Sequence, residues 1–461
     1  MSARRRLSRL ALPVLVLLHA CAPVEQGATP SRAAIVETNL PPMKRFEPSP
    51  VPPSTTSNAD LTRDFLDLSF ALESGRGLPV FTRFEGPITL RLSGRPSPSL
   101  SADLTQLLTR LRNEAGIDIR RSTGAGASIT IEAVSSEQIR TVLPQAACFV
   151  APNVGSFSEY RANRRNARTN WTLLKERTRL AIFLPADAPP QEIRDCLHEE
   201  LAQSLGPLND LYRLPDSVFN DDNMHSVLTA HDMLILRATY APELRSGMSR
   251  EQVAARLPGI FARINPAGAG RPARYAQETP REWRQAIETA LGPGASYAQR
   301  SRASAQAVRI AVQLGWQDQR RAFAHYARAR VLQPSDPGDA YREFLLADRY
   351  YARSPQTRLH RAYVASQLAA YAVAEGDGAA ALSRLEPNLA AAAGSENAAL
   401  LATLMLLKAE ALELVGRDTE ARAVRLDSLG WARYGFGPDW AVRDRQSEIA
   451  GLNPLKGLNR S

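Results

Sequence analysis

Residues 190–210 read PQEIRDCLHEELAQSLGPLND, and this segment gives the clearest indication of fold in the chain. Its apolar residues recur at helical spacing as far as Leu205, with polar residues between them. Gly206 and Pro207 follow, a pair that commonly ends a helix because glycine accepts the final backbone conformation and proline cannot continue the hydrogen bonding. The pattern therefore predicts an amphipathic helix over residues 190–205.

The segments before this helix alternate between strand and helix patterns. The run FEGPITLRLS at residues 84–93 alternates apolar and polar side chains, as a half-buried strand does. Further strands are predicted at 117–121, 127–134 and 178–184, and a helix at 102–113. The order strand, helix, two strands, a longer connection, strand and helix predicts a mixed α/β domain over residues 59–278.

Nearly all of residues 279–461 shows helical spacing. The segments after Gly376 and Gly416, which lie 40 residues apart, resemble each other, and each has a small residue five positions later, Ala381 or Ala421. This offset is typical of stacked helix pairs, and the pattern is similar to the second half of tetratricopeptide repeats. An ordinary helical bundle is the alternative. Either arrangement would offer a surface better suited to binding protein than to performing chemistry.

The first twenty residues have the composition of an export signal. Arginines at positions 4, 5, 6 and 9 precede the apolar run LALPVLVLL at residues 10–18. This run is too short for a permanent membrane helix, which needs about 20 residues. Leu18-His19-Ala20-Cys21 resembles a lipobox, in which the cysteine is acylated and becomes the new N-terminus. An ordinary secretory signal with an incidental cysteine is the alternative.

The lipobox resemblance implies a location for the chain. A residue acylated at Cys21 would hold the protein on a bilayer through several acyl chains. Ala22, which follows it, resembles the pattern of sorting to the bacterial outer membrane, facing the periplasm. Residues 21–58 are rich in Pro, Ser and Thr and are predicted to be a flexible tether between the lipid and the folded part.

The charge of the chain does not indicate a nucleic-acid partner. The formal net charge of +10 rests on arginines that are scattered along predicted helices, and four of them leave with the signal. Export also removes the chain from nucleic acid. The partners expected are therefore the membrane, through the lipid, and a protein or peptide of the cell envelope.

Two further cysteines, Cys148 and Cys196, lie in the predicted α/β domain. In an oxidising compartment, two such cysteines are candidates for a disulfide. The bridge is favoured over two buried thiols. A nucleophilic role is disfavoured, because Cys196 and His198 are two positions apart on a helix and do not face each other.

The helix at 190–205 ends in a segment that resembles the zinc motif of metzincin peptidases, H-E-x-x-H-x-x-G-x-x-H. One register starts at His198 and fails at Ala202. The other register fits every offset but contains no histidine. It places Glu199, Gln203 and Asn209 at the three ligand positions, Glu200 at the general base and Gly206 at the glycine.

The residues after the motif extend this resemblance. DSVFN at 216–220 resembles the methionine turn of matrixins, with Phe219 where methionine is expected. Residues 228–240 resemble the closing helix of that family. The pattern E-E-x-x-Q-x-x-G-x-x-N-D, with LRSGM at 244–248, also identifies the chain as a member of a bacterial lipoprotein family known only as a domain of unknown function. The predicted fold class is α+β, a metzincin-like mixed sheet followed by an all-α domain.

The chemistry of the metzincins does not follow from this resemblance. A carboxylate with two amide oxygens is a hard, weak donor set, better suited to calcium than to zinc, and no bound cofactor is expected. Burial of Glu199 and Glu200 together would raise the pKa of at least one of them. Asp210 and His231, with Gly206, are further candidates for residues lining a retained cleft.

Three hypotheses for function follow. The favoured one is an envelope lipoprotein whose peptidase-like domain has lost its metal and binds a peptide or protein. The second is an active metal-dependent peptidase with unusual ligands, or another hydrolase that uses Glu200 with Asp210 or His231. The third is a purely structural component of the envelope.

Overall fold

The computed structural model describes residues 40–47, 53–274 and 277–457. The predicted signal at 1–20 and Cys21 lie outside these residues. Within them, no helix combines the length and apolar character needed to cross a membrane. The described chain from Leu40 onward belongs to one compact unit.

The first part of the fold is a mixed sheet covered by helices. In residues 53–274 the strands are β1 (Ile88–Gly94), β2 (Ile119–Arg121), β3 (Ile129–Val134), β4 (Phe149–Pro152) and β5 (Leu180–Pro185). Their order across the sheet is β2-β1-β3-β5-β4. The first four strands in this order run parallel, and β4 pairs antiparallel with β5 at the edge. Because β3 and β5 lie inside the sheet, their apolar runs are buried on both faces.

Helices surround this sheet on both sides and at its end. Within residues 53–274 they are α1 (Asn58–Ser69), α2 (Pro98–Ala115), α3 (Ser136–Val142), α4 (Phe157–Asn163), α5 (Pro190–Leu205), α6 (Ala230–Thr239), α7 (Arg250–Ala254) and α8 (Leu257–Ile264). Helix α5 packs against β4, β5 and α2, so its buried face joins the main core beneath the sheet. The predicted helix at 190–205 is confirmed at both ends.

The second part is helical throughout its described residues. Its helices are α9 (Arg281–Leu291), α10 (Tyr297–Gln313), α11 (Gln319–Leu332), α12 (Pro337–Tyr351), α13 (Arg358–Ala374), α14 (Gly378–Gly394), α15 (Ala398–Leu414), α16 (Asp418–Phe436), α17 (Asp439–Ala450) and α18 (Pro454–Gly457). From α9 to α17 each helix packs against the next. In addition, α9 contacts α11, α13 contacts α15, and α15 contacts α17. This alternation is the arrangement of stacked helix pairs.

The two similar segments noted in the sequence occupy equivalent places in this stack. Gly376 follows α13 with φ +79°, and Gly416 follows α15 with φ +74°, so both adopt the left-handed conformation that favours glycine at a helix end. Ala381 on α14 and Ala421 on α16 are fully buried. The small residues therefore lie where the next helix crosses closely.

The two parts share a core. The segment 212–224, which follows α5, extends into the helical part. The Tyr212 ring meets the ring of Trp283 edge-on with their centroids 5.0 Å apart, and Met224 is buried in the same hydrophobic cluster. His360 on α13 is hydrogen-bonded through Nε2 to Asp222 at 2.8 Å. These contacts join the α/β part to the helical part through a common hydrophobic cluster.

Residues 40–47, which belong to the segment predicted to be a flexible tether, are packed against the helical part. The Phe46 ring stacks on Trp431 of α16 with centroids 4.5 Å apart. The backbone N–H of Lys44 donates to the Gly430 carbonyl at 3.0 Å, a close approach that leaves no room for a side chain at position 430. Residues 40–47 are therefore held against the helical part, because an aromatic ring in the segment finds an apolar partner there.

Cys148 and Cys196 are joined by a disulfide, as the sequence analysis favours. Cys148 directly precedes β4, and Cys196 lies in the middle of α5. The bond ties the start of the edge strand to the helix below it. On the chain-entropy model, closing a loop of this length stabilises the fold by about 4 kcal/mol.

Candidate functional site

A groove of about 430 Å³ runs between the edge strand β4 and the C-terminal half of α5. Its walls are largely apolar and its floor carries polar groups from α5. The lining residues are Leu72, Glu73, Ser74, Leu143, Pro144, Gln145, Ala146, Cys148, Phe149, Val150, Trp171, Glu200, Gln203 and Leu208. Two residues of the predicted motif, Glu200 and Gln203, therefore face a cleft.

Strand β4 forms one wall of the groove. Among the described strands it pairs with β5 only, so its other side is an edge of the sheet. Its residues align with β5, for example Val150 with Ile182, and β4 stands last in the sheet order. The N–H and C=O groups on the outer side of such a strand are available to pair with another extended segment. The groove thus offers a backbone template along one side.

Helix α5 places the polar floor. Glu200 and Gln203 are three positions apart, so their side chains lie on the same face of the helix. The Gln203 amide Nε2 donates to Asp210 Oδ2 at 3.5 Å and to Glu73 Oε1 at 3.4 Å. Glu73 comes from the loop after α1. The floor therefore gathers carboxylates from three separate parts of the chain.

Burial, and then the charges of neighbouring carboxylates, raise the pKa values of Glu199, Glu200 and Asp210. Burial and the charges of Glu199 and Glu73 hold the pKa of Glu200 well above its usual range. Burial and the charges of Glu73 and Asp221 raise the pKa of Glu199 to about 8. The pKa of Asp210 is also raised well above its usual range, by burial, by Glu199 and Glu73, and by a hydrogen bond with Glu73. The predicted rise in pKa at the adjacent glutamates is therefore present.

The end of α5 is fixed by side chains from elsewhere. The buried Arg177 guanidinium donates to the carbonyls of Gln203 and Gly206, each at 2.5 Å. Tyr240 Oη donates to the Leu205 carbonyl at 3.0 Å. The last carbonyls of a helix have no partner within the helix, so these donors satisfy groups that would otherwise be buried and unpaired. They also set the position of Gln203 on the groove floor.

Two motif residues do not reach the groove. Asn209 Nδ2 donates to the Asp67 carbonyl at the end of α1, at 2.9 Å. Gly206 lies against Thr239 of α6, where a Cβ atom would come within 2.9 Å of Thr239 Cγ2. Asn209 is thus used to join the end of α5 to α1, and Gly206 allows α5 and α6 to approach closely.

The histidines near the motif also lie away from the groove. His198 is buried on the opposite side of α5, and its Nδ1 accepts a hydrogen bond from the Leu228 N–H at 3.1 Å. Burial and the charge of Arg194 hold the pKa of His198 well below its usual range, so the ring is neutral. His231 is buried at the start of α6 and does not line the groove.

The residues present do not fit a zinc or calcium site. Of the three ligand positions, Gln203 faces the groove, Asn209 bonds to α1, and Glu199 lies beside Glu200 on the helix. In residues 40–47, 53–274 and 277–457, no three His, Cys, Asp or Glu side chains are arranged to hold a metal ion.

Several residues of the site were not predicted from the sequence. Glu73 lies more than a hundred positions before the motif, and nothing local marks it as a partner of Asp210. Arg177 is one arginine among many in an arginine-rich chain. Strand β4 was assigned to a connection, because four residues ending in Pro152 are too few to show a period.

Residues 58–259 match the model of a protein family described as "Protein of unknown function (DUF2927)". The matched region begins at α1, includes all five strands and α5, and ends within α8. It therefore contains the whole groove. No curated protein and no solved structure matches the chain.

Proposed function

We propose that this chain is a lipid-anchored protein of the bacterial envelope whose α/β part binds an extended peptide segment in the groove along β4. The observation that carries the proposal is the combination of an outer edge strand, an apolar wall and a polar floor in one cleft. Edge strands bind extended peptides by adding a strand, with backbone hydrogen bonds supplying affinity and adjacent pockets supplying specificity.

The order of elements around the groove supports descent from a peptidase-like fold. Helix α5 is followed by the turn at 216–220 and then by α6, the order that the matrixin resemblance implies. The turn is held by Asp232, whose carboxylate accepts hydrogen bonds from Ser217 Oγ at 2.5 Å and from the Val218 N–H at 3.1 Å. Because Asn209, at the third ligand position, is hydrogen-bonded through its amide to α1, we favour binding over metal-dependent cleavage.

We expect the Gln145→Trp variant to lose peptide binding. Gln145 is exposed on the apolar wall, and an indole there would fill part of the cleft. The test selects binders from a random heptapeptide library displayed on phage, using the full exported chain, and then measures their affinities by fluorescence polarisation. Affinity should fall at least tenfold, a change of about 1.4 kcal/mol.

The matched control is Ala147→Trp, which adds an indole two positions away at an exposed residue that does not line the groove. It should bind the selected peptides within twofold of the wild type. Equal loss in both variants would show that the peptides bind elsewhere. Failure to select any peptide above background would contradict peptide binding and favour a purely structural role.

A hydrolase is the second candidate, favoured by the raised pKa values of Glu200 and Asp210. Groups that keep a proton near neutral pH can act as general acids while water adds across an amide bond to give a carboxylate and an amine. Incubation of the chain with unfolded casein distinguishes the two candidates. Cleavage that is lost in Glu200→Gln would establish hydrolysis.

The anchor has its own test. Cys21→Ser should move the chain from the membrane fraction to the soluble fraction and abolish the incorporation of labelled palmitate. Cys148 and Cys196 remain as an internal control, since their disulfide leaves them no thiol to acylate. Equal labelling and membrane association in the variant would contradict lipidation at Cys21.

A further inference from the structure

Two carboxyl oxygens of the groove floor, Glu200 Oε2 and Asp210 Oδ1, have no hydrogen-bond partner among the described residues. Glu200 is 6% exposed and lines the groove, yet its Oε2 atom accepts no hydrogen bond. A buried oxygen without a donor has lost its hydration without compensation, so such groups are usually paired. The Oε2 atom of Glu200 therefore lacks the hydrogen-bond donor that a buried oxygen usually has.

The surrounding chain does not supply a cation to this position. In the described ranges, no lysine or arginine forms an ion pair with Glu200 or Asp210, and the charges acting on Glu200 come from Glu199 and Glu73. The side chain of Arg284 is directed to the backbone, where its Nη1 donates to the Glu73 carbonyl at 3.4 Å. The floor thus gathers carboxyl groups whose burial and mutual repulsion favour the protonated form of Glu200, and a cation placed among them would favour the ionised form.

We infer that the groove is selective for a peptide carrying a lysine or arginine, whose cationic group binds Glu200 and the neighbouring Glu73. This inference rests on the proposed peptide binding and names the class of peptide. A donor from such a side chain would supply the hydrogen bond that Glu200 Oε2 lacks. Charge-assisted hydrogen bonds of this kind are the stronger ones in proteins.

The rest of the groove suits the same side chain. Leu143 and Val150 on the wall offer apolar contact to the methylene stem of a lysine or arginine, while its charged end reaches the floor. A divalent metal ion needs several ligands around one point, and among the described residues no three His, Cys, Asp or Glu side chains are so arranged. The geometry therefore favours an organic cation over a metal ion.

The selection with the heptapeptide library also tests this inference. Peptides selected by the wild-type chain should share a lysine or arginine at one position. Replacing that residue by glutamine in the peptide should lower affinity for the wild type at least tenfold, and for Glu200→Gln less than twofold. This double comparison isolates the contact between the two groups. Asp210→Asn provides a second variant on the floor, and the exposed Glu176→Gln is the matched control that should behave as wild type.

Each failure has a separate meaning. Selected peptides that bind in the groove but show no preference for lysine or arginine would overturn the inference and leave peptide binding in place. Absence of any selected peptide would overturn both. Calorimetry with Ca²⁺ and Zn²⁺ completes the test, because stoichiometric metal binding that is lost in Glu200→Gln would assign the floor to a metal and also overturn the inference.

Discussion

The Glu200→Gln variant is expected to be more stable than the wild type at pH 8, by about 2 kcal/mol, and no more stable near pH 4.5. The variant keeps the shape of the side chain but removes a charge from a buried place beside other carboxylates. Thermal unfolding followed by far-UV circular dichroism at the two pH values measures the difference. At pH 8 the melting temperature should rise by several degrees.

The direction of this pH dependence follows from the raised pKa. An acid whose pKa is higher in the folded than in the unfolded chain binds its proton more tightly when folded. The wild-type chain is therefore stabilised fully below the unfolded value of 4.5, and it loses that stability as the pH rises towards the folded value. Glu199, whose pKa is raised to about 8, contributes in the same sense between about pH 4.5 and 8. The variant lacks the contribution of Glu200 and should lose less stability over this interval.

Glu176→Gln is the control, since Glu176 is exposed and its replacement should change stability by less than about 0.5 kcal/mol. A Glu200 variant that is destabilised at pH 8 would mean that the carboxylate is paired in solution. A gain in stability together with a loss of binding would show that a costly charge is retained for function.

The Arg177→Met variant is expected to lose about 3 kcal/mol of stability, because two buried carbonyls lose their donors. Methionine retains much of the volume but cannot donate to Gln203 and Gly206. Part of the loss is offset, since burial of the guanidinium is itself unfavourable and lowers the pKa of Arg177 to about 10. Equilibrium unfolding in urea gives the change as a shift of the midpoint.

The neighbouring Arg179→Met is the matched control. Arg179 is exposed and pairs with Glu159 at 2.8 Å, an arrangement worth less than about 1 kcal/mol. Similar losses in the two variants would indicate a general intolerance of this segment instead of a specific role at the end of α5. The Arg177 variant should also bind selected peptides more weakly, since Gln203 would lose its fixed position.

The strongly periodic segments of the sequence were predicted correctly. Helix α5 and most of the helices from α9 to α16 carry long apolar patterns, and their positions agree with the structure. The helix at 58–69 was not predicted, because it follows directly on a segment assigned to the tether. Local patterns thus identified the layers of the fold.

The site depended on information that no local pattern holds. The motif assigned Glu200 to the general base and Gln203 and Asn209 to ligand positions; Glu200 and Gln203 line the groove, and the Asn209 amide is hydrogen-bonded to α1. The partners of the floor, Glu73 and Arg177, come from distant segments that only tertiary packing brings together. The sequence therefore predicted the helix that carries the site, but it did not predict the residues from other segments that surround that helix.

The segment 212–224 has a practical consequence for work on this family. The region of family similarity stops at residue 259, whereas Tyr212 and Met224 are covered by helices that lie beyond it. Excising residues 58–259 as an autonomous fragment would cut through a continuous interior and leave an aromatic and a methionine facing solvent. The family match and the shared hydrophobic cluster thus end at different residues, and we expect the fragment 58–259 to be less stable than the longer chain.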